Sequence, residues 1–139
     1  MDMDPDGGVA EDALARLREI CLALPDAYEE AAWVGRRWRV RDKTFAHVVT
    51  VVDGRPPAFA KVIGHDGPAT VVTFRSAGEE LQALCRAGHP FFRAGWGRDV
   101  VGMYLDDATD WGEVAELMTE SFCVMAPTRL RDRVDRPAE

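Results

Sequence analysis

The sequence predicts a two-layer α+β domain: an antiparallel sheet of about five strands with helices on one face, in the order α-β-β-β-β-α-β-α. Three observations carry this expectation. Apolar residues recur at helical spacing near both ends of the chain and once in between. The middle is a series of β-branched and aromatic runs punctuated by Gly, Pro and Asp turns. The 139 residues, 47% hydrophobic and 29% charged, fit one domain with its own core and leave no room for two.

Residues 1–8, rich in Asp, Gly and Pro, read as a flexible leader to a single domain over residues 9–127. The first helix is marked by Leu14, Leu17, Cys21 and Leu24, with Ala13 and Ile20 widening the stripe. Glu11 and Asp12 suit its positive first turn, Pro25 stops it, and Arg16, Arg18 and Glu19 face water. A first strand is expected around Trp33, Trp38 and Val40, joined by Arg41-Asp42-Lys43 to a second over Thr44 to Val52. Asp53 to Pro57 is turn chemistry, Ala58 to Ile63 a third strand, Gly64 to Pro68 a turn and Thr70 to Phe74 a fourth strand.

Ser76 with Glu79 has the spacing of a capping box for a helix over Ala77 to Ala87, in which Leu81, Leu84 and Cys85 form the apolar face and Gly88 the stop. His89 to Arg98 reads as a structured loop, and Val100 to Leu105 as the fifth strand. Asp110 and Glu113 repeat the capping signature before the last helix. Val114, Leu117, Met118, Ser121, Phe122 and Met125 trace its buried face. Pro127 closes it, and residues 128–139 form a charged tail that should fray.

Charge is segregated along the chain. Residues 1–30 carry 2 basic and 9 acidic side chains, residues 31–105 carry 11 and 6, and residues 106–139 carry 4 and 9. The formal net charge of -7 opposes a general nucleic-acid coat, yet the middle is locally basic. Cys21, Cys85 and Cys123 are odd in number and lack the spacing of a disulfide framework, metal knuckle or redox pair. They read as reduced thiols inside helices. No apolar run reaches the ~20 residues of a membrane span, and the acidic start is not a signal peptide. A cytoplasmic protein without a membrane partner is expected.

Two sets of residues offer chemistry. Arg36, Arg37, Arg39, Arg41 and Lys43 interleave with aromatic residues, and Lys61 could join them. On a strand Arg37, Arg39 and Arg41 share one face while Trp38 and Val40 take the other. Such a ladder can track phosphates, or it can be a solvated face paired with Glu29, Glu30 and Asp42. The second set is Trp33, Trp38, Arg93, Trp96, Arg98 and Tyr104, which suits stacking on a flat or anionic small molecule over an open sheet face. His47, His65 and His89 have no metal-ligand spacing, and neither a nucleophile elbow nor a phosphate-binding glycine loop is present. No metal, cofactor or catalytic residue is expected.

The order of landmarks resembles the MmcQ/YjbR-like family over about residues 11–130. The residues that carry the likeness are Cys21-Leu-Ala-Leu-Pro25, the pair Glu29-Glu30, the hairpin Trp33-Val-Gly-Arg-Arg-Trp-Arg-Val40, and Lys61 after a Pro-containing turn. Tyr104-Leu-Asp-Asp107, Asp110-Trp111, Thr119-Glu-Ser-Phe122 and Ala126-Pro127 extend it. Gly95-Trp96-Gly97-Arg98 stands where relatives commonly have a His-Trp pair. The resemblance implies a small α+β domain compared with a double-wing DNA-binding motif and with secretion-chaperone-like folds. It implies no reaction and supplies no catalytic residues. The expectation is a non-enzymatic binding protein, monomer or homodimer, that contacts DNA weakly through the basic hairpin. The alternatives are a binder of an aromatic or anionic metabolite on the open sheet face, and a protein-interaction module.

Overall fold

A computed structural model describes residues 10–134. The expected leader and the last five residues of the expected tail lie outside them. Six strands form one antiparallel sheet: β1 (Tyr28–Ala31), β2 (Arg36–Val40), β3 (Lys43–Val51), β4 (Ala69–Arg75), β5 (Phe91–Arg93) and β6 (Val100–Leu105), in spatial order β1-β2-β3-β4-β6-β5. Five helices accompany it: α1 (Glu11–Leu22), α2 (Pro57–Ile63), α3 (Gly78–Ala87), α4 (Trp111–Met125) and α5 (Thr128–Arg131). The architecture is mixed α+β, as the periodicities predict.

Alternation along the central strands decides what each face buries. Val48, Val72, Phe74, Val101, Met103 and Leu105 meet Leu14, Leu17 and Cys21 of α1 and Val114, Leu117, Met118 and Phe122 of α4. Leu81 and Leu84 of α3 join the margin of this core. Phe45 meets Phe122 edge to face at 5.4 Å between ring centroids. Ser121, fully buried on α4, donates to the Phe45 carbonyl and accepts from the Arg75 amide. One hydroxyl thus ties the helix to β3 and β4 with its hydrogen bonds satisfied.

The other sheet face carries a smaller apolar cluster of Val49, Val51, Phe59 and Val71, flanked by Val34, Ala60, Ile63, Phe92 and Tyr104. It is covered by α2, and this corrects the expected strand at Ala58–Ile63. Pro56 in an extended conformation leads into Pro57 at the first helical turn, and Gly64 closes the helix at φ 80°. Phe59, Ala60 and Ile63 then fall on one side. Seven residues are too few for sequence to separate a period of 3.6 from one of 2. Helices therefore cover both faces, and Lys61 is exposed on α2 rather than on a strand.

Five further differences follow from short-range chemistry. Trp33 does not open a strand but sits in the β1–β2 turn, 90% exposed. The unforeseen β1 is a charged edge strand, whose Glu29 and Glu30 lie opposite Trp38 and Arg37. Residues 91–93, expected as loop, pair with β6 because Phe92 lies opposite Gly102, whose missing side chain leaves room for the ring. At α3 the N-cap is Ala77 without a side-chain hydrogen bond, and Ser76 instead reaches Glu80 at 3.4 Å. After Pro127 the chain turns into α5 and buries Leu130, so packing continues past the expected start of the tail. No described helix is long and apolar enough to cross a membrane.

Candidate functional site

The hairpin arginines are largely spoken for. Val40 and Lys43 flank a two-residue turn in which Arg41 and Asp42 have φ of 49° and 64°, the mirror-image geometry of tight hairpins. Arg41 therefore leaves the ladder and lies 3.5 Å from Asp26. Glu29, with only 9% of its side chain exposed, accepts from Arg18 Nε and Nη2 at 2.8 Å each, from Arg36 Nε at 2.9 Å and from Trp38 Nε1 at 3.0 Å. Those bonds, led by the one from Arg18, hold its carboxyl below the usual range despite partial desolvation. Glu30 accepts from Arg37 Nε at 2.7 Å and Arg39 Nη1 at 3.0 Å, and its carboxyl is lowered likewise, chiefly by the Arg37 bond. Arg39 Nη2 also donates to the Asp42 carbonyl. Arg36 shares a strand face with Trp38, whereas Arg37 and Arg39 share the face that α2 covers.

On that face the register lines up one cross-sheet row: Glu30, Arg37, His47, Thr73, Gly102 and Phe92. Between hairpin and loop the row opens into a cleft of about 280 Å³. Its floor is His47 and Thr73, Arg37 and Arg75 stand at its sides, and Trp33 and Trp96 form its rims. Trp96, 46% exposed, leans on Phe59 at 4.8 Å between centroids, and Phe59 meets His47 edge-on at 5.9 Å. Helix α2 thus braces one rim. Arg75 donates Nη1 to Asp99 Oδ1 at 2.7 Å.

His47 Nε2 lies 2.7 Å from the Val34 carbonyl. A carbonyl only accepts, so Nε2 carries the proton and the neutral ring leaves Nδ1 as an acceptor. Burial first, and the Arg37 charge besides, push the imidazole pKa down, opposing protonation although the Val34 bond works the other way. The Thr73 hydroxyl makes a long 3.5 Å bond to the His47 carbonyl.

The structure redistributes the two residue sets read from the sequence. From the phosphate-tracking set, Arg37 reaches the cleft; Arg36 and Arg39 are held by carboxylates, Arg41 and Lys43 sit at the hairpin end, and Lys61 is on α2. From the stacking set, Trp33 and Trp96 form the rims, while Trp38 is fully buried on the opposite face. Arg93 and Arg98 are exposed outside the cleft lining. Tyr104 lines a separate groove of about 330 Å³ with His65, Thr50 and Thr70. Its ring stacks on His65 and tilts against His89, so His89 is more than a helix-terminus residue. His47, Thr73 and Arg75 did not stand out from the sequence. The available signal was the alternation of β4, which puts Thr73 and Arg75 on one face of the strand and Val72 and Phe74 on the other.

No curated protein matches the chain. A family model described as YjbR matches residues 22–124, from the last residue of α1 into α4, and so includes every residue of the cleft. That match spans well over half of the 139 residues, and the chain belongs to the YjbR family.

Proposed function

We propose that this chain is a non-catalytic binding protein whose ligand is a small anion bearing a flat aromatic ring, seated in the cleft between Trp33 and Trp96. The observation that carries this reading is the convergence of two exposed indole rims on a floor flanked by Arg37 and Arg75. A volume of about 280 Å³ lies just under the usual range of ligand pockets and limits the occupant to one or two fused rings with an acidic group. Stacking on an aromatic side chain contributes about 1–3 kcal/mol. Among the described residues Arg75 gives Nη1 to Asp99, and its other N–H groups can meet a carboxylate or phosphate in a forked contact. Arg37 is more fully engaged by Glu30, so Arg75 is the principal anchor.

Titration followed by calorimetry and tryptophan fluorescence tests the reading. Saturable binding of aromatic carboxylates or aryl phosphates is expected, weakened about tenfold or more by Trp33→Ala and by Arg75→Ala. Absence of saturable binding, or variants that bind as the parent does, would remove it.

A second reading, DNA contact through the hairpin, draws support from five basic against three acidic side chains over residues 28–43 and from the exposure of Trp33. The carboxylate pairing of Arg36, Arg37 and Arg39 weighs against it. If about three phosphates are neutralised, log affinity for duplex DNA falls against log salt with a slope near -3. A flat salt response, or no loss with Arg41→Ala and Lys43→Ala together, excludes it.

A further inference from the structure

We infer that the ligand of this cleft carries an N–H donor on its aromatic ring, so that the class is heteroaromatic acids of the indole type rather than carbocyclic ones. The inference rests on the small-anion reading and deepens it. It comes from the polarity of the floor, which differs from that of the walls.

Both flanking cations are guanidinium groups, which only donate. The two rims are indoles, whose polar atom is also a donor. His47 reverses this pattern. With Nε2–H given to Val34 at 2.7 Å, its Nδ1 is a bare lone pair. The bond is well anchored, because Val34 precedes Gly35, which has φ of 70° and packs so tightly that an added Cβ would lie 1.9 Å from the Val48 carbonyl oxygen. The turn that carries the Val34 carbonyl therefore lies directly against the β3 backbone. Nδ1 is not sealed in either: among the described residues, the buried side-chain N or O atom without a partner is Arg39 Nε. Thr73 strengthens the same polarity, since its proton points towards the His47 carbonyl and its lone pairs are left over.

A ring that fills the cleft displaces water from this acceptor. A ring N–H replaces the lost hydrogen bond, whereas a C–H leaves Nδ1 desolvated and unpaired. Sites built around a hydrogen bond discriminate strongly against analogues that lack the partner atom. The acidic group belongs at Arg75, which lines the same cleft.

The test needs no change to the floor. The full chain at pH 7.5 is titrated with indole-3-acetate, its N-methyl derivative and 1-naphthaleneacetate, which share charge and ring area. Indole-3-acetate should bind about tenfold more tightly than either of the others. Trp33→Ala, at a side chain that is 90% exposed and outside the core, should weaken all three alike and so locate the binding. Equal affinity for the three acids, or preference for the naphthalene, overturns the inference and leaves the small-anion reading standing. Failure of all three to bind overturns the inference, and if aryl phosphates fail to bind as well the small-anion reading is removed with it. Retention of the indole preference in Trp33→Ala with unchanged affinity places the site elsewhere and also overturns it.

Discussion

Glu29 is the residue on which the hairpin turns. It sits opposite Trp38 in the register and offers the buried indole N–H its acceptor, while two arginines neutralise its charge. Replacing it by Ala leaves that N–H and the guanidinium groups of Arg18 and Arg36 without their shared partner, so a loss of about 1–3 kcal/mol is expected in urea unfolding. Glu29→Gln keeps an acceptor for Trp38 and should lose less. Because the folded carboxyl is held below its unfolded value, the Glu29 contribution is fully present above about pH 4.5 and is lost as the pH falls towards the folded value. Stability curves that fall equally between pH 5 and 3 for the parent and Glu29→Gln would show that the network carries no such linkage. Glu29 and Glu30 stand out from the sequence as an acidic pair beside arginines, but their division of labour does not. Only the alternation of β1 sends one to Trp38 and the other to the cleft side.

The short elements depend on single residues. Asp110 Oδ1 accepts from the Glu113 amide at 3.1 Å, the cap that the sequence pattern predicts for α4. Asp110→Ala should cost about 1 kcal/mol, while Asp132→Ala, at an exposed position after α5, removes the same charge at almost no cost. Equal melting temperatures for the two would contradict the cap. For β5 the decisive residue is Gly102 on the neighbouring β6, where a Cβ would stand 2.1 Å from Phe92 Cζ. Gly102→Ala should cost about 1–3 kcal/mol by overpacking, and hydrogen exchange should show β5 losing protection before β3 and β4. Unchanged protection at residues 91–93 would mean that the ring is free to move aside. Strands β3, β4 and β6 are legible because each is a run of six to nine residues with strong β character. Helix α2 and strands β1 and β5, with seven, four and three residues, are too short for periodicity to speak.

At the scale of the molecule, His47, the pair Glu29 and Glu30, and Glu80 shape the acid response among the described residues. Burial depresses the folded pKa of His47, so its neutral form contributes stability that begins to fall as the pH drops below about 6.5 and levels off once the folded state also takes the proton. Glu29 and Glu30 act in the same direction below about pH 4.5. Glu80 acts oppositely. Burial, then the neighbouring Glu120, raise its carboxyl above 4.5, so its protonation in the folded state offsets part of the acid loss. Denaturant midpoints measured from pH 8 to 3 should therefore decline first near neutrality and again below 4.5. Glu80→Gln should raise the midpoint at pH 7 and remove the compensating rise. A profile flat from pH 8 to 5 would mean that His47 takes up its proton equally readily in both states.

Composition and periodicity by themselves determined the α+β class, the long central strands, helices α1 and α4 and the Asp110 cap. These are properties of local spacing, which a chain displays before it folds. They also pointed to Arg37, Trp33 and Trp96, though in separate sets serving different ligands. Tertiary structure alone decided that these three share a cleft, that Trp38 lies in the opposite core, and that Arg36 and Arg39 are tied to carboxylates. The physical reason is register: residues far apart in sequence become neighbours through strand pairing, and the period of two sends adjacent side chains to opposite faces. His47 shows the limit most clearly, because its tautomer, and with it the polarity of the cleft floor, is fixed by a carbonyl on another strand's turn.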